Sequence, residues 1–324
     1  MLKSIVIGVG AGLVSALLLL SIVTGTTVGL TLGLLAAVPC LIAGLGWGVP
    51  AALAGAIVAA GVPLLTGTLS PAFVHILVIG APAVALSHYA LLWRDGNGAR
   101  EWYPIGRIVA AAAVWGGVIG AIVLMQIQAQ LGATDVADFI EKLKPPFTVW
   151  MKRYETMLAK PVTPEEVDSF ARLGVLLLPG MFATLWLGFI LANSYVAGKV
   201  TSLSGQLERP WPDLTELRLP RLMPILFMAA VLVAYVGGIV GLIASGFVSA
   251  FTFAYMLVGL AIIHNLTRGL SIRPMLLAAV YSALLFLGLL ASPVLALIGL
   301  AEPVSPLRRK PPAADNQRAD SDPG

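Results

Sequence analysis

Few side chains in this sequence are suited to bind or react, and those few stand inside apolar runs. His75 and His88 share one run, Asn193 closes another, and His264 with Asn265 closes a third. Imidazole and carboxamide groups each carry a hydrogen-bond donor and acceptor, so a cluster of them can hold a small polar ligand or relay a proton. In hydrocarbon such groups need partners and turn toward a bundle interior. The same residues also suit plain interhelical bonding, or headgroup-level positions for His88, His264 and Asn265. The ligand-binding reading takes His75, Asn193, His264 and Asn265 as its contacts.

Catalytic patterns are missing. HExxH, GxSxG, CxxC and the phosphate-binding GxxxxGK(S/T) do not occur, and the acids stand almost wholly outside the apolar runs. No catalytic residue, metal ligand set or cofactor is therefore expected. Cys40 has no second cysteine and reads as a small residue buried in an apolar helix. The opening run Ile5 to Gly12 has glycines like a dinucleotide fingerprint. That motif needs an acid about twenty residues on, and the first carboxylate here is Asp95.

The elements that must position these groups are membrane helices. Of 324 residues, 58% are hydrophobic and 11% charged, against about 25% charged in a soluble domain. Mean hydropathy is +0.93. Apolar stretches long enough to cross about 30 Å of hydrocarbon recur, near 4–23, 28–46, 49–66, 72–93, 105–125, 171–196, 222–244, 249–267 and 274–299. The expected fold is all-α, a polytopic transmembrane bundle of about eight or nine spans. Its membrane domain covers 1–301, and a disordered tail rich in Pro, Asp and Arg covers 302–324. The first run continues into others without a small-residue cleavage site, so it reads as an uncleaved helix.

The net charge of +4 is scattered over short connections, which excludes a nucleic-acid face and instead sets orientation. Arg94, Arg100 and Arg107, then Lys199, Arg209, Arg218 and Arg221, then Arg268 and Arg273 fall on one side, expected to be the cytoplasm. The connection 126–170 falls opposite and mixes both signs. Within it Phe147, Trp150, Met151, Tyr154 and Leu158 recur at helical spacing after Pro145-Pro146, as for a helix lying on the membrane surface. Nine complete spans put the tail outside, against its Arg308, Arg309 and Lys310; Ser292-Pro293 is where the last span could fail to cross.

Glycines four apart, at Gly8/Gly12, Gly25/Gly29/Gly33 and Gly116/Gly120, predict close helix packing. Pro39, Pro63, Pro82, Pro179 and Pro293 each remove an amide donor and predict kinks with freed carbonyls. Broken helices of this kind often line transport sites.

Two stretches carry a family resemblance. One runs from Asn193-Ser-Tyr-Val-Ala-Gly-Lys199 through Glu208-Arg-Pro-Trp-Pro-Asp213 to Leu219-Pro220. The other is Gly259-Leu-Ala-Ile-Ile-His264, then Ala296-Leu-Ile-Gly-Leu-Ala-Glu302 and Arg308-Arg309. Over about a third of the chain these resemble the YybS-like bacterial membrane proteins, with Glu302 where an aspartate is expected. The resemblance implies a multi-pass protein of the bacterial inner membrane. It also implies a distant likeness to the substrate-capturing membrane subunits of energy-coupling-factor transporters.

The sequence thus points to a protein in contact with the lipid bilayer that binds or transports a small organic solute. A protein partner is expected at the cytoplasmic connection 199–221. The alternative is a non-transporting scaffold that recruits other proteins through its loops.

Overall fold

The computed structural model describes residues 1–64, 69–96, 98–158, 161–302 and 308. The expected tail lies outside these residues except for Glu302 and Arg308. The chain forms two compact units, Met1–Pro212 with Arg218–Ala254, and Asp213–Leu217 with the described residues from Tyr255 onward. The all-α reading holds. Among the described residues, six helical segments are long and apolar enough to cross a membrane, and four shorter apolar helices accompany them.

In the first unit, α1 (Leu2–Leu20) packs on α4 (Val49–Leu64). A Cβ on Gly8 would stand 2.2 Å from the Ala51 carbonyl oxygen, and one on Gly12 2.3 Å from that of Gly55. Only glycine allows that approach, as the four-residue spacing predicts. Gly116 and Gly120 serve likewise between α7 (Ile105–Leu131) and α9 (Pro164–Leu203), facing the Ala183 and Pro179 carbonyls. Gly25, at φ +65°, instead turns the chain after α1, and Gly29 and Gly33 receive the folded-back end of that helix at Ser21 and Ile22. Cys40 is buried, as expected.

The second expected span is two helices, α2 (Thr27–Gly33) and α3 (Val38–Trp47), joined by turns at 34–37. The fourth is broken too. The described part of α5 (Leu69–His75) runs into a π-helical segment, Ile76–Gly80, before α6 (Ala81–Leu91). A short antiparallel hairpin, β1 (Trp93–Gly96) and β2 (Ala99–Trp102), follows; it turns through Gly98 at φ +82°.

The surface helix begins earlier than expected. α8 runs from Val136 to Leu158 through both prolines, so Pro145-Pro146 does not break it. Its Phe139 joins Leu124, Val175 and Leu242 in a buried cluster with α7, α9 and the start of α11 (Gly238–Leu266). The expected seventh and eighth spans divide elsewhere as well. α10 (Met223–Ala234) ends before Gly237 and Gly238, at φ +74° and +62°, and α11 continues unbroken to Leu266. At 12 residues α10 extends only about 18 Å.

The second unit corrects the last expected span. α12 (Arg273–Ala301) contains a non-helical residue, Leu287, at φ −120° and ψ 26°. Its later half runs antiparallel to α11: a Cβ on Gly259 would stand 2.0 Å from the Leu295 oxygen, and one on Gly299 2.2 Å from that of Tyr255. Continuing this register puts Gly288 level with Leu266. The break at Leu287 leaves two apolar pieces, Arg273–Gly288 and Leu290–Ala301, each shorter than the helices long enough to cross a membrane, so α12 is not one straight span. In the same unit Arg268 pairs with Asp213 at 2.6 Å, and Arg308 pairs with Glu302 at 2.8 Å while donating to the Leu217 carbonyl.

Candidate functional site

Prolines create the polar geometry of the first unit. Hydrogen bonds through 34–37 follow the tight i to i+3 pattern: Leu35 to Leu32, Ala36 to Gly33, Val38 to Leu35. The next donor in that series is residue 39, a proline with no N–H, so the Ala36 carbonyl is left over. Ser15 of α1 fills the gap, its buried hydroxyl donating to Ala36 O at 2.6 Å. Asn193 of α9 donates its Nδ2 to the neighbouring Leu34 O at 2.9 Å and to Phe189 O of its own helix at 2.8 Å.

The π-helical segment repeats the theme with Pro82. An α pattern would send residue 82 to Val78 O and a π pattern to Leu77 O, and proline serves neither. Two indoles substitute: Trp115 Nε1–H of α7 donates to Leu77 O at 3.0 Å, and Trp186 Nε1–H of α9 to Val78 O at 2.9 Å. Trp186 and Asn193 are seven residues apart, two helical turns, so one face of α9 services both breaks.

His75 stands at the entrance of the π segment, three residues before Val78. Its side chain is fully buried, at 0% exposure, and neither ring nitrogen has a hydrogen-bond partner among the described residues. Asn193 is 3% exposed, and its Oδ1 is unpartnered while its amide nitrogen is doubly used. Unmade hydrogen bonds at buried polar groups cost about 1–3 kcal/mol each, so three such atoms are a departure from ordinary packing. The other buried polar side chains of this unit, Ser15, Ser87 and Thr201, all donate to carbonyls. Among the described residues, none of the buried polar side chains of the first unit is a carboxylate, ammonium or guanidinium.

The remaining sequence candidates fall elsewhere. His88 is exposed on α6 beside Tyr89. His264 and Asn265 belong to the second unit and are half-buried; His264 Nε2 lies 3.0 Å from the Tyr281 hydroxyl. The basic connection after α9 folds back on its own unit. Trp211 meets Tyr195 edge-on and lies under the Lys199 ammonium at 4.0 Å, and Arg209 donates to Ala90 O.

Sequence reasoning reached His75 and Asn193 but missed Ser15, Trp115 and Trp186. Their signal was available in part. Tryptophans of membrane proteins gather at the interfaces, and an indole N–H in mid-span needs an acceptor; both of these lie deep within long apolar helices that also face proline-broken ones.

No curated protein and no solved structure matches the chain. The model of one protein family, described as predicted membrane protein (DUF2232), matches residues 13–301. That span covers nearly all of the apolar helices described above, and the chain belongs to the DUF2232 family of predicted membrane proteins.

Proposed function

We propose that this protein binds a small, uncharged, hydrogen-bonding solute inside its first unit, as a solute-binding or transport protein of the bacterial inner membrane. The observation that carries the reading is His75, a fully buried imidazole with both nitrogens unpartnered at the mouth of a π-helical segment. A neutral imidazole supplies one donor and one acceptor, and Asn193 Oδ1 a further acceptor. A solute with two hydroxyl or amide donors and one acceptor matches these three groups in number. The lack of a buried charge among the described residues of this unit favours an uncharged ligand, since an ion would lie desolvated with no counter-charge among them. Irregular backbone at membrane depth is typical where it lines a cavity. The distant likeness to substrate-capturing subunits of energy-coupling-factor transporters that the sequence resemblance implies points the same way, as fold analogy alone.

The scaffold alternative draws less support, because Trp211, Lys199 and Arg209 of the connection 199–221 are engaged with the chain's own first unit. Stability under a library of neutral polar solutes tests the proposal. A ligand at 100 times its Kd adds about 2.7 kcal/mol, and that gain should vanish in His75→Leu. The same variant should be at least as stable as the parent without ligand, since it removes two unpaired buried atoms. Equal responses of parent and variant to every stabilising solute would overturn the assignment.

A further inference from the structure

We propose that the second half of α8, from Phe147 to Arg153, docks on the lipid headgroups at its end of the first unit, with anionic phospholipid on its exposed face. This is independent of the solute site. The helix is anchored from beneath: Met151 is buried, and Phe147 presses on Gly174 of α9, where a Cβ would stand 2.4 Å from its ring. Of Tyr154 and Leu158, expected on this face, only the backbone is described. The opposite arc carries Val149, 74% exposed, Trp150, 50% exposed, and the exposed Lys152 and Arg153.

Continuity identifies the occupant. Phe170, Leu173, Leu177, Met181 and Leu185 form an exposed apolar stripe along α9, spaced three or four residues apart as on one helix face. On a spanning helix that stripe faces acyl chains. Its upper end is marked by Asp168 and Arg172, which pair at 2.6 Å, so Phe170 stands at the water boundary. Trp150 lies against Phe170, ring centroids 6.5 Å apart, and extends the stripe onto α8 at the depth where tryptophan concentrates.

Charge favours an anionic headgroup. Lys142 pairs with Asp138, and Lys144 with Glu141 and Asp168, along the first half of the helix, while Glu155 on the second half is half-buried and accepts from the Val162 N–H. Lys152 has no acidic partner among the described residues and is exposed beside Val149. A cation near an anionic membrane surface is worth about a fivefold preference.

The test places a nitroxide at Val149→Cys, in a Cys40→Ala background, in nanodiscs of phosphatidylcholine with or without phosphatidylglycerol. The same label at the exposed Ala137→Cys, in the first turn of α8, is the control. The expected result is that oxygen reaches the Val149 label better than a water-soluble nickel chelate does, with the reverse at Ala137. Phosphatidylglycerol should be enriched around the protein at least about fivefold more in the parent than in Lys152→Glu, which removes one attraction and adds a repulsion. A Val149 label as open to nickel as Ala137 would refute docking. One shielded from both reagents would mean a protein contact instead, and equal enrichment in Lys152→Glu would refute the headgroup assignment.

Discussion

Replacing Trp186 with phenylalanine keeps an aromatic ring in a site only 6% exposed and deletes one atom group of consequence, the Nε1–H that reaches Val78 O at 2.9 Å. The α-helical donor to that carbonyl would be residue 82, a proline, so the ordinary i to i+4 bond cannot replace it. Interhelical hydrogen bonds in membranes are worth about 0.6 kcal/mol on average and about 1.7 at most. This one should sit in the upper part of that range, since the carbonyl loses the indole without regaining its ordinary α-helical donor. The loss of the larger ring adds a little more, giving about 1–2 kcal/mol in all. Trp115→Phe, which frees the adjacent Leu77 carbonyl, should cost about the same. The two bonds hold consecutive carbonyls of one five-residue segment, so the double variant should depart from additivity by about 0.5 kcal/mol or more. Reversible unfolding in mixed micelles measures all four proteins of the cycle. A Trp186→Phe variant as stable as the parent would refute the view that the indoles hold the π segment open.

Other outcomes follow from the same geometry. Gly12→Ala puts a methyl 2.3 Å from the Gly55 oxygen; α1 must move by roughly 1 Å, at about 1–3 kcal/mol. Gly10→Ala meets nothing within 4 Å and should be neutral or slightly stabilising, so equal effects on micellar unfolding would contradict the packing. Asp213 is held at about 2 by Arg268, then by Thr215. Its folded value lies below the unfolded one of about 3.9, so its contribution is full above pH 4 and fades as pH falls toward 2. The pair is half-exposed and screened to about 1 kcal/mol or less. Asp213→Asn should lose that amount at pH 7, and its stability should converge with the parent's in an acid titration. Arg308 donates to Leu217 O, so a reporter fused after Gly324 should report the same side of the membrane as one inserted at Glu216; opposite sides would contradict the second unit's arrangement.

Much of the fold could be read in advance because long apolar runs and their charge flanks are controlled by the bilayer itself. The exact breaks could not. Gly237-Gly238 ends α10, yet a glycine pair within an apolar run has no fixed meaning until a positive φ is seen. Pro145-Pro146 suggested a stop, but the cluster around Phe139 holds the helix through it. Leu287, where α12 bends, carries no signal at all; Ser292-Pro293, the expected place, stays helical. Of the site, His75 and Asn193 stood out because polar groups are rare in hydrocarbon. Which of their atoms remain unpaired depends on where distant segments place their carbonyls, as Leu34 O, 159 positions from Asn193, takes one of its amide hydrogens, and pairing across such separations is invisible in one sequence.

Whether His75 marks a solute site can be read in a native mass spectrum of the protein ejected from nanodiscs. Parent, His75→Leu and His88→Leu would be compared, His88 being the exposed histidine of the same region. A solute site at His75 gives a reproducible low-mass adduct on the parent and on His88→Leu, absent from a folded His75→Leu. An adduct retained by His75→Leu at the parental level would contradict it.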